Sequence, residues 1–515
     1  MNALLTRLLV SVVCGVLLGF SFPPYDFWFL APLAVALFTL TTFGQGAWRA
    51  LGFGFITGLT WFLVLMDWVT VVGNDAWIGV GIFAGFWIAL TAWGTAIVTR
   101  VAGWPFWVML IWITQEAIRS RVPLGGFTWG SLGFSQSDGW LLPAANLAGV
   151  PALTGLVALV GAVLAWLVRS ALLQEWPAVC AAAAIAVVAL VLPLLIPLSS
   201  AGQDDAGPQT ATIAVVQGDV PHIGVGFSTA AAQTVLNNHV SQTERLAADI
   251  AAGRVSQPDA VLWPENASDV DPFTEPGAEQ RIEQAAAAVG VPILLGAIVR
   301  EPTTARDIWN MGVVWDPVTG PGDNYKKQHP VPFGEYVPMR ERLGDFTDRF
   351  IDRDVLAGTE PGVLDVGPVR VGDVICFEVA YGDLVRDSVL GGGRLLAVQT
   401  NNATFTGYGQ TEQQLAMSRV RAVEHGRTAV VTSTNGISAI ITPDGEVREQ
   451  LGESTAGYMI QSVPLRDELS WSARLAWAPE LLAAVGALAA IGVGLSRAPR
   501  PLLQPARRAR TADKD

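Results

Sequence analysis

The run Trp176-Pro-Ala-Val-Cys-Ala-Ala-Ala-Ala-Ile-Ala-Val-Val-Ala-Leu-Val-Leu-Pro-Leu-Leu-Ile196 carries no charge. It is followed within a few residues by Ser199-Ser-Ala-Gly-Gln-Asp-Asp-Ala-Gly-Pro208, and then by Thr212-Ile-Ala-Val-Val-Gln217. An uncharged apolar run of roughly 17–25 residues can cross a bilayer. The Pro/Gly-containing acidic stretch reads as a linker, and the β-branched run reads as a buried strand. The chain therefore changes solvent here, from lipid to water.

The charge distribution agrees on both sides. The 515 residues are 51% apolar and only 15% charged, with mean hydropathy +0.41. A soluble protein carries about 25% charge. Residues 1–200 hold 6 acidic and 6 basic side chains, residues 201–470 hold 36 and 19, and residues 471–515 hold 3 and 7. Fourteen of the 19 Trp lie in the first 200 residues, as interfacial aromatics of a membrane block would. This composition excludes a disordered chain, a collagen-like one and a basic nucleic-acid-binding protein.

Working back from the boundary, eight apolar spans are expected: Leu4–Phe20, Phe27–Thr42, Ala50–Val69, Trp77–Thr99, Trp104–Ile118, Val150–Leu167, Trp176–Ile196 and Glu480–Leu495. Leu4–Phe20 resembles a signal peptide, but six further spans follow it before the soluble block, so it reads as a retained helix. Basic loop residues stay cytoplasmic. With Met1 inside, the inner loops carry Arg49, Arg100 and Arg169, and the tail carries Arg497, Arg500, Arg507, Arg508, Arg510 and Lys514. The outer turns Ser21–Asp26 and Thr70–Ala76 have neither Lys nor Arg. The acidic block is then extracytoplasmic and both termini are cytoplasmic. The outer loop 119–148 holds Arg119, Arg121 and Gly125-Gly-Phe-Thr-Trp-Gly-Ser-Leu-Gly-Phe-Ser-Gln136, read either as aromatic anchoring or as an Arg site for an anionic headgroup. Asp67 and Glu116 read as solvated helix-end groups.

Working forward, candidate strands are Thr212–Gln217, Ala260–Trp263, Pro292–Val299, Ile308–Trp315, Val369–Cys376, Leu395–Thr400, Ala429–Ser433, Ser438–Thr442 and Gly457–Gln461. Helical stretches are Thr229–Ala252, Ala278–Val289, Tyr381–Leu390 and Gln410–His425. Asp316-Pro-Val-Thr-Gly and Pro443-Asp-Gly signal hairpin turns. Apolar strands alternating with helices predict a layered α/β domain with buried sheets. The domain plan is residues 1–198 membrane helices, 199–209 linker, 210–466 layered α/β domain, 467–496 return segment with the eighth helix, and 497–515 basic tail.

Three features carry chemistry. Cys14 and Cys180 fall in apolar spans, which leaves Cys376 as the single exported thiol, at the end of Val371-Gly-Asp-Val-Ile-Cys and before Phe377-Glu378. A buried core thiol and a nucleophile fit that stretch equally well. The chain has 3 Lys and 29 Arg, yet two of the Lys are adjacent in Tyr325-Lys-Lys-Gln-His-Pro-Val-Pro-Phe-Gly-Glu-Tyr-Val-Pro. A compact ammonium suits an oxyanion where Arg does not fit, against the alternative of a solvated turn pair. Glu265 follows Trp263-Pro264 at a strand end, where partial desolvation would favour base duty and where a simple cap is the alternative.

Taken together, Glu265, Lys327 and Cys376 in this order resemble the nitrilase superfamily, whose members carry that triad in an α-β-β-α sandwich. Val215-Val-Gln-Gly, Thr400-Asn-Asn-Ala-Thr-Phe, Arg421-Ala-Val-Glu and Thr434-Asn-Gly-Ile-Ser extend the likeness over most of residues 210–465. With seven spans before the domain and one after, the chain resembles the membrane-embedded branch of that superfamily, the apolipoprotein N-acyltransferase family. The resemblance implies Glu265 as general base, Lys327 as oxyanion-stabilising residue and Cys376 as nucleophile. It also implies Glu335 and Glu378 as supporting carboxylates, an oxyanion N–H from Phe377, and Arg119, or Arg121, in the Gly-Phe-x-Trp loop. Thr128 replaces the usual Pro there, and Asn401–Thr406 departs from the common Asn-Asp-Ala-Trp-Phe. The expected reaction is ping-pong transfer of a fatty acyl group from a phospholipid donor to a diacylglyceryl-lipoprotein acceptor in a bacterial plasma membrane. A membrane-tethered amidase or a non-catalytic lipoprotein-binding scaffold are the competing readings. Phe333, Phe346 and Phe350 are candidates for an apolar rim. His222, His239, His329 and His425 show no ligand spacing, so neither a metal nor another cofactor is expected, and Gly391-Gly-Gly reads as a turn.

Overall fold

The computed structural model describes residues 3–198, 209–220, 229–304, 306–343, 351, 353–499 and 501–502. Linker residues 199–208, together with His222, Phe346, Phe350, Arg500, Arg507, Arg508, Arg510 and Lys514, lie outside the described residues.

The apolar block folds as helices α1 (Ala3–Phe20), α2 (Leu30–Thr42), α3 (Ala47–Leu65), α4 (Asn74–Val98), α5 (Trp104–Arg119), α6 (Ala145–Leu172) and α7 (Trp176–Val191). Among the described residues five helical segments are long and apolar enough to cross a membrane: Ala47–Leu65, Asn74–Val98, Leu142–Leu172, Trp176–Leu195 and Ala478–Leu495. The first two spans form shorter apolar helices. The third helix ends at Leu65, and Asp67–Val71 forms a 3-10 turn instead of continuing to Val69. α6 breaks its helical geometry at Ala148 and Gly149, just ahead of Pro151, a residue that cannot supply the N–H an unbroken helix needs.

The water-soluble block is a double sheet. Its strands are β1 (Thr210–Gln217), β2 (Ala260–Leu262), β3 (Ile293–Arg300), β4 (Asp307–Asp316), β5 (Gly320–Lys326), β6 (Asp354–Val355), β7 (Val363–Val366), β8 (Val369–Ile375), β9 (Leu395–Thr400), β10 (Ala429–Ser433), β11 (Ser438–Ile441), β12 (Val447–Leu451) and β13 (Gly457–Pro464). One sheet runs β13-β1-β2-β3-β4-β5 with β6 beside β4, and the other runs β12-β11-β10-β9-β8-β7. Helices α8 (Thr229–Ala251), α9 (Pro276–Val289), α10 (Arg340–Leu343), α11 (Gly382–Leu390), α12 (Gln410–His425), α13 (Trp471–Leu475) and α14 (Ala478–Leu495) complete the chain. α9 starts with Pro276 and is closed by Gly290 in the left-handed region, the usual asymmetry of helix ends.

Three apolar cores define the layers. Ala214, Leu236, Ile282 and Leu295 join the first sheet to α8 and α9. Ile213, Leu294, Val371 and Ala397 fill the space between the sheets. Val374, Val398, Val420 and Leu384 continue without interruption into Trp61, Trp112 and Leu153 of the membrane helices. The α11/α12 layer of the sandwich is thus packed directly on the membrane block, and β9, covered on both faces, is buried at every position.

Gln413 of α12 secures that seam. Its Oε1 accepts from Trp129 Nε1 at 2.8 Å and Trp68 Nε1 at 3.2 Å, and its Nε2 donates to Leu65 O at 2.8 Å and Pro23 O at 3.0 Å. All four valences of one buried amide are spent on the membrane block.

Candidate active site

The site sits where strand ends of both sheets meet the 120s loop of the membrane block. β8 leads into a 3-10 turn, Cys376–Ala380, whose first residue has φ +56. A non-glycine residue in the left-handed region costs about 1–2 kcal/mol, and such strain collects at functional sites. The turn lifts Cys376 out of the strand, and the residue remains partly exposed. Its Sγ accepts a hydrogen bond from Thr400 Oγ1 at 3.5 Å.

Lys327, immediately after β5, is buried at 1% exposure. Its Nζ donates to Glu265 Oε1 at 3.0 Å and Glu335 Oε1 at 2.9 Å. Burial alone would pull this ammonium down, but Glu265 and Glu335 outweigh it and hold Lys327 well above its ordinary value. Glu265 is fixed on its other oxygen by the Asn401 N–H at 2.9 Å. Residues 400 and 401 thus touch thiol and carboxylate in succession. The charges of Glu265, Lys327 and Glu335 all act on Cys376. Burial, then Glu265, push its thiol up to about 12, while Lys327 and Thr400 oppose them.

Asn310 of β4 is a member that sequence reasoning missed. Its Nδ2 donates to Glu265 Oε1 at 2.7 Å and to Glu335 Oε1 at 3.0 Å, bridging the two carboxylates beneath Lys327. It is the one amide in an otherwise apolar stretch of a buried strand, and that isolation was the available signal. Glu335 is anchored in turn by the Val331 N–H at 2.7 Å.

Glu378, the third residue of the Cys turn, ties the Lys strand to the Cys strand. Its Oε1 accepts from Gln328 N at 2.6 Å, His329 N at 3.0 Å and Tyr325 Oη at 3.0 Å, and its Oε2 from Ile375 N at 2.8 Å. Burial pushes this carboxyl up, while Lys327 and those backbone donors pull it back. His329 bonds through its backbone, and its ring stacks on Tyr381 at 4.3 Å between centroids.

The membrane block supplies the floor. Phe377 stacks on Trp129 at 5.7 Å with the rings 8° from parallel, Phe127 lies 6.4 Å away, and Tyr381 Oη donates to Gly126 O at 2.9 Å. Gly126, at φ +92, lets the loop fold back on α5, and a Cβ there would lie 2.0 Å from the Ser120 carbonyl group. That fold-back decides the fate of three charged residues. Arg119 is 2% exposed, apart from the triad, and donates to Trp129 O at 2.7 Å. Arg121 stays outside and pairs with Glu480. Glu116, expected as a solvated end group, is instead buried and accepts from Leu132 N at 2.7 Å and Thr154 Oγ1 at 2.6 Å, because the returning loop covers the end of α5. Asp67 is exposed as expected. Phe333, at φ +64, is 40% exposed. Among the described residues no cluster of His, Cys, Asp or Glu has metal-site geometry.

Comparison with known proteins gives two family matches. Residues 14–163 match the apolipoprotein N-acyltransferase N-terminal domain, and residues 212–472 match carbon-nitrogen hydrolase. An apolipoprotein N-acyltransferase of Mycolicibacterium smegmatis is 36% identical over 93% of this chain and 83% of its own. One of Shewanella oneidensis is 27% identical over 94% and 95%. A solved amidase from Nesterenkonia sp. superposes with TM-score 0.37 at 18% identity, over 54% of this chain and 97% of its own.

Proposed function

This chain belongs to the apolipoprotein N-acyltransferase family, and from that premise we propose how its residues perform acyl transfer. The donor is a phospholipid and the acceptor is the N-terminal diacylglyceryl-cysteine of a lipoprotein. Glu265 takes the Cys376 proton as the sulfur attacks the sn-1 ester carbonyl, and returns it to the departing alkoxide, so a lysophospholipid leaves and a thioester remains. The free α-amine then attacks that thioester, Glu265 takes its proton, and the thiol is restored as the amide departs. With the thiol pushed up to about 12, proton removal must accompany attack, which is the work of a base held within the site.

The tetrahedral oxyanion of each half-reaction is held by Lys327 and the Phe377 N–H. An ammonium has three donors. Two are engaged by Glu265 and Glu335, leaving one for the substrate oxygen. The first N–H groups of a helical turn have no partner within it. Both substrates are lipids, and the Phe127–Trp129–Phe377 floor keeps water from a thioester that amines attack readily. We place this site at the outer face of a bacterial plasma membrane, with eight spans, cytoplasmic termini and the domain limits given above. Arg119 serves the site through the loop it clasps.

The observation that carries this reading is the Lys327–Glu265 contact at 3.0 Å beside a thiol raised on a positive-φ turn. Intact-mass analysis of purified protein supplied with phospholipid tests it: a fatty-acyl adduct on Cys376, absent in Cys376→Ala, is expected. Amide turnover with no adduct would replace the reading by an amidase.

A further inference from the structure

A cavity of about 100 Å³ lies on the seam between the two blocks, lined by Arg121, Arg386, Arg421, Glu424, His425 and Glu480 among others. None of the triad residues lines it. It is walled by the end of α5, the break in α6, the start of α11, the end of α12 and the return segment before α14.

Hydrogen bonds there are unevenly spent. The acceptors have donors of their own. Glu424 accepts from Arg421 and, at 3.1 Å, from Ser472 Oγ, while Glu480 accepts from Arg121. Glu116 is held by Leu132 and Thr154, and Asp383 takes the Leu384 N–H at 3.1 Å. The donors are not all used. His425 is 1% exposed, and neither ring nitrogen has a partner. The buried Nε of Arg386 has none either. An unpartnered buried polar group is costly, so two such residues, His425 and Arg386, lining one cavity imply an occupant that accepts hydrogen bonds. Glu424 acts on His425 with one sign of charge, and Arg421, Arg427 and Arg386 with the other; the unpartnered Nε belongs to the Arg386 guanidinium, which is always cationic and suits an anionic acceptor.

We propose that this seam cavity binds a phosphate-type oxyanion on Arg386 Nε and the His425 imidazole. Its volume takes about three waters' worth of liquid, enough for one tetrahedral oxyanion. Two sources share that chemistry: the phosphodiester of an outer-leaflet phospholipid, and free inorganic phosphate. Trp477, which lines the cavity, is 59% exposed, and Leu482 beyond it is 71% exposed, so an apolar surface suited to lipid tails adjoins the opening. The inference stands on the seam alone and does not need the acyl-transfer reading.

The test uses the full chain in detergent micelles. One arm titrates inorganic phosphate by calorimetry. The other looks for retained phosphatidylglycerol by native mass spectrometry from mixed micelles. Wild type is compared with Arg386→Gln and with His425→Asn, each checked for an unchanged melting midpoint. Binding of inorganic phosphate that weakens at least about tenfold in either folded variant supports the proposal with a free ion as occupant. Retention of phosphatidylglycerol by wild type and its loss in a variant, with no phosphate binding, supports it with a lipid headgroup. No binding of either probe to wild type, or equal binding to wild type and both variants, overturns it.

Discussion

Replacing Glu378 by Gln tests whether the Cys and Lys strands are registered by one carboxylate. The side chain accepts from four donors, three of them backbone N–H groups. An amide presents one oxygen and one NH₂. With the oxygen toward Gln328 and His329, the NH₂ faces the Ile375 N–H, and that bond becomes a donor–donor contact. The opposite orientation loses both loop bonds. The smallest loss is therefore one buried bond to a charged acceptor, about 1.5–3 kcal/mol. The surviving bonds also weaken as the charge is lost. Together these amount to about 3 kcal/mol, which on the scale of 1.4 kcal/mol per decade is roughly a hundredfold. Since Lys327 lies one residue before Gln328, the loss falls on the oxyanion contact proposed for that ammonium. Single-turnover formation of the Cys376 acyl adduct should slow by roughly that factor, with the melting midpoint lowered by several degrees. A variant that acylates at the wild-type rate with an unchanged midpoint would refute the argument.

Asn310→Leu removes the donor shared by Glu265 and Glu335; adduct formation should fall about 10- to 100-fold while the fold persists, and full activity would mean that Lys327 alone holds the pair. Gly312→Ala drives a methyl to 2.0 Å from Asp373 Oδ2 between the sheets, so a large drop in melting midpoint or no folded protein is expected; a wild-type midpoint would show the sheets free to part. Asp269 is pushed up to about 7 from 3.8 by burial and then by Glu265. An acid raised in the folded state contributes stability that is full at low pH and is lost as pH rises from about 4 to 7. Melting midpoints of Asp269→Asn should therefore depend less on pH across that window, and an unaltered slope would contradict the assignment.

Much of this was readable from residues. The long uncharged runs, the buried strands β8 to β11 and the two hairpin turns all follow from local pattern, and the single Cys of the acidic block and the paired Lys are visible by rarity. Edge strands were harder. Val363–Val366 and Val447–Leu451 mix apolar and charged residues because one side faces water, so their alternation is too short to register. Glu116 was misjudged in exposure because nothing local says that residues 120–132 fold back over α5. Asn310 and Gln413 matter through partners tens or hundreds of residues away, and no spacing rule reaches that far.

The four bonds of Gln413 bear on what portion of this protein can work by itself. A catalytic fragment cut free at the linker would expose a stranded amide and the bare face of Phe377, with no wall beneath the nucleophile. Excised from its lipid-bound half, the sandwich is expected to keep its sheets and lose its chemistry. That joint is spent on backbone carbonyls and indoles, so prying the two halves apart would cost all four of those bonds at once.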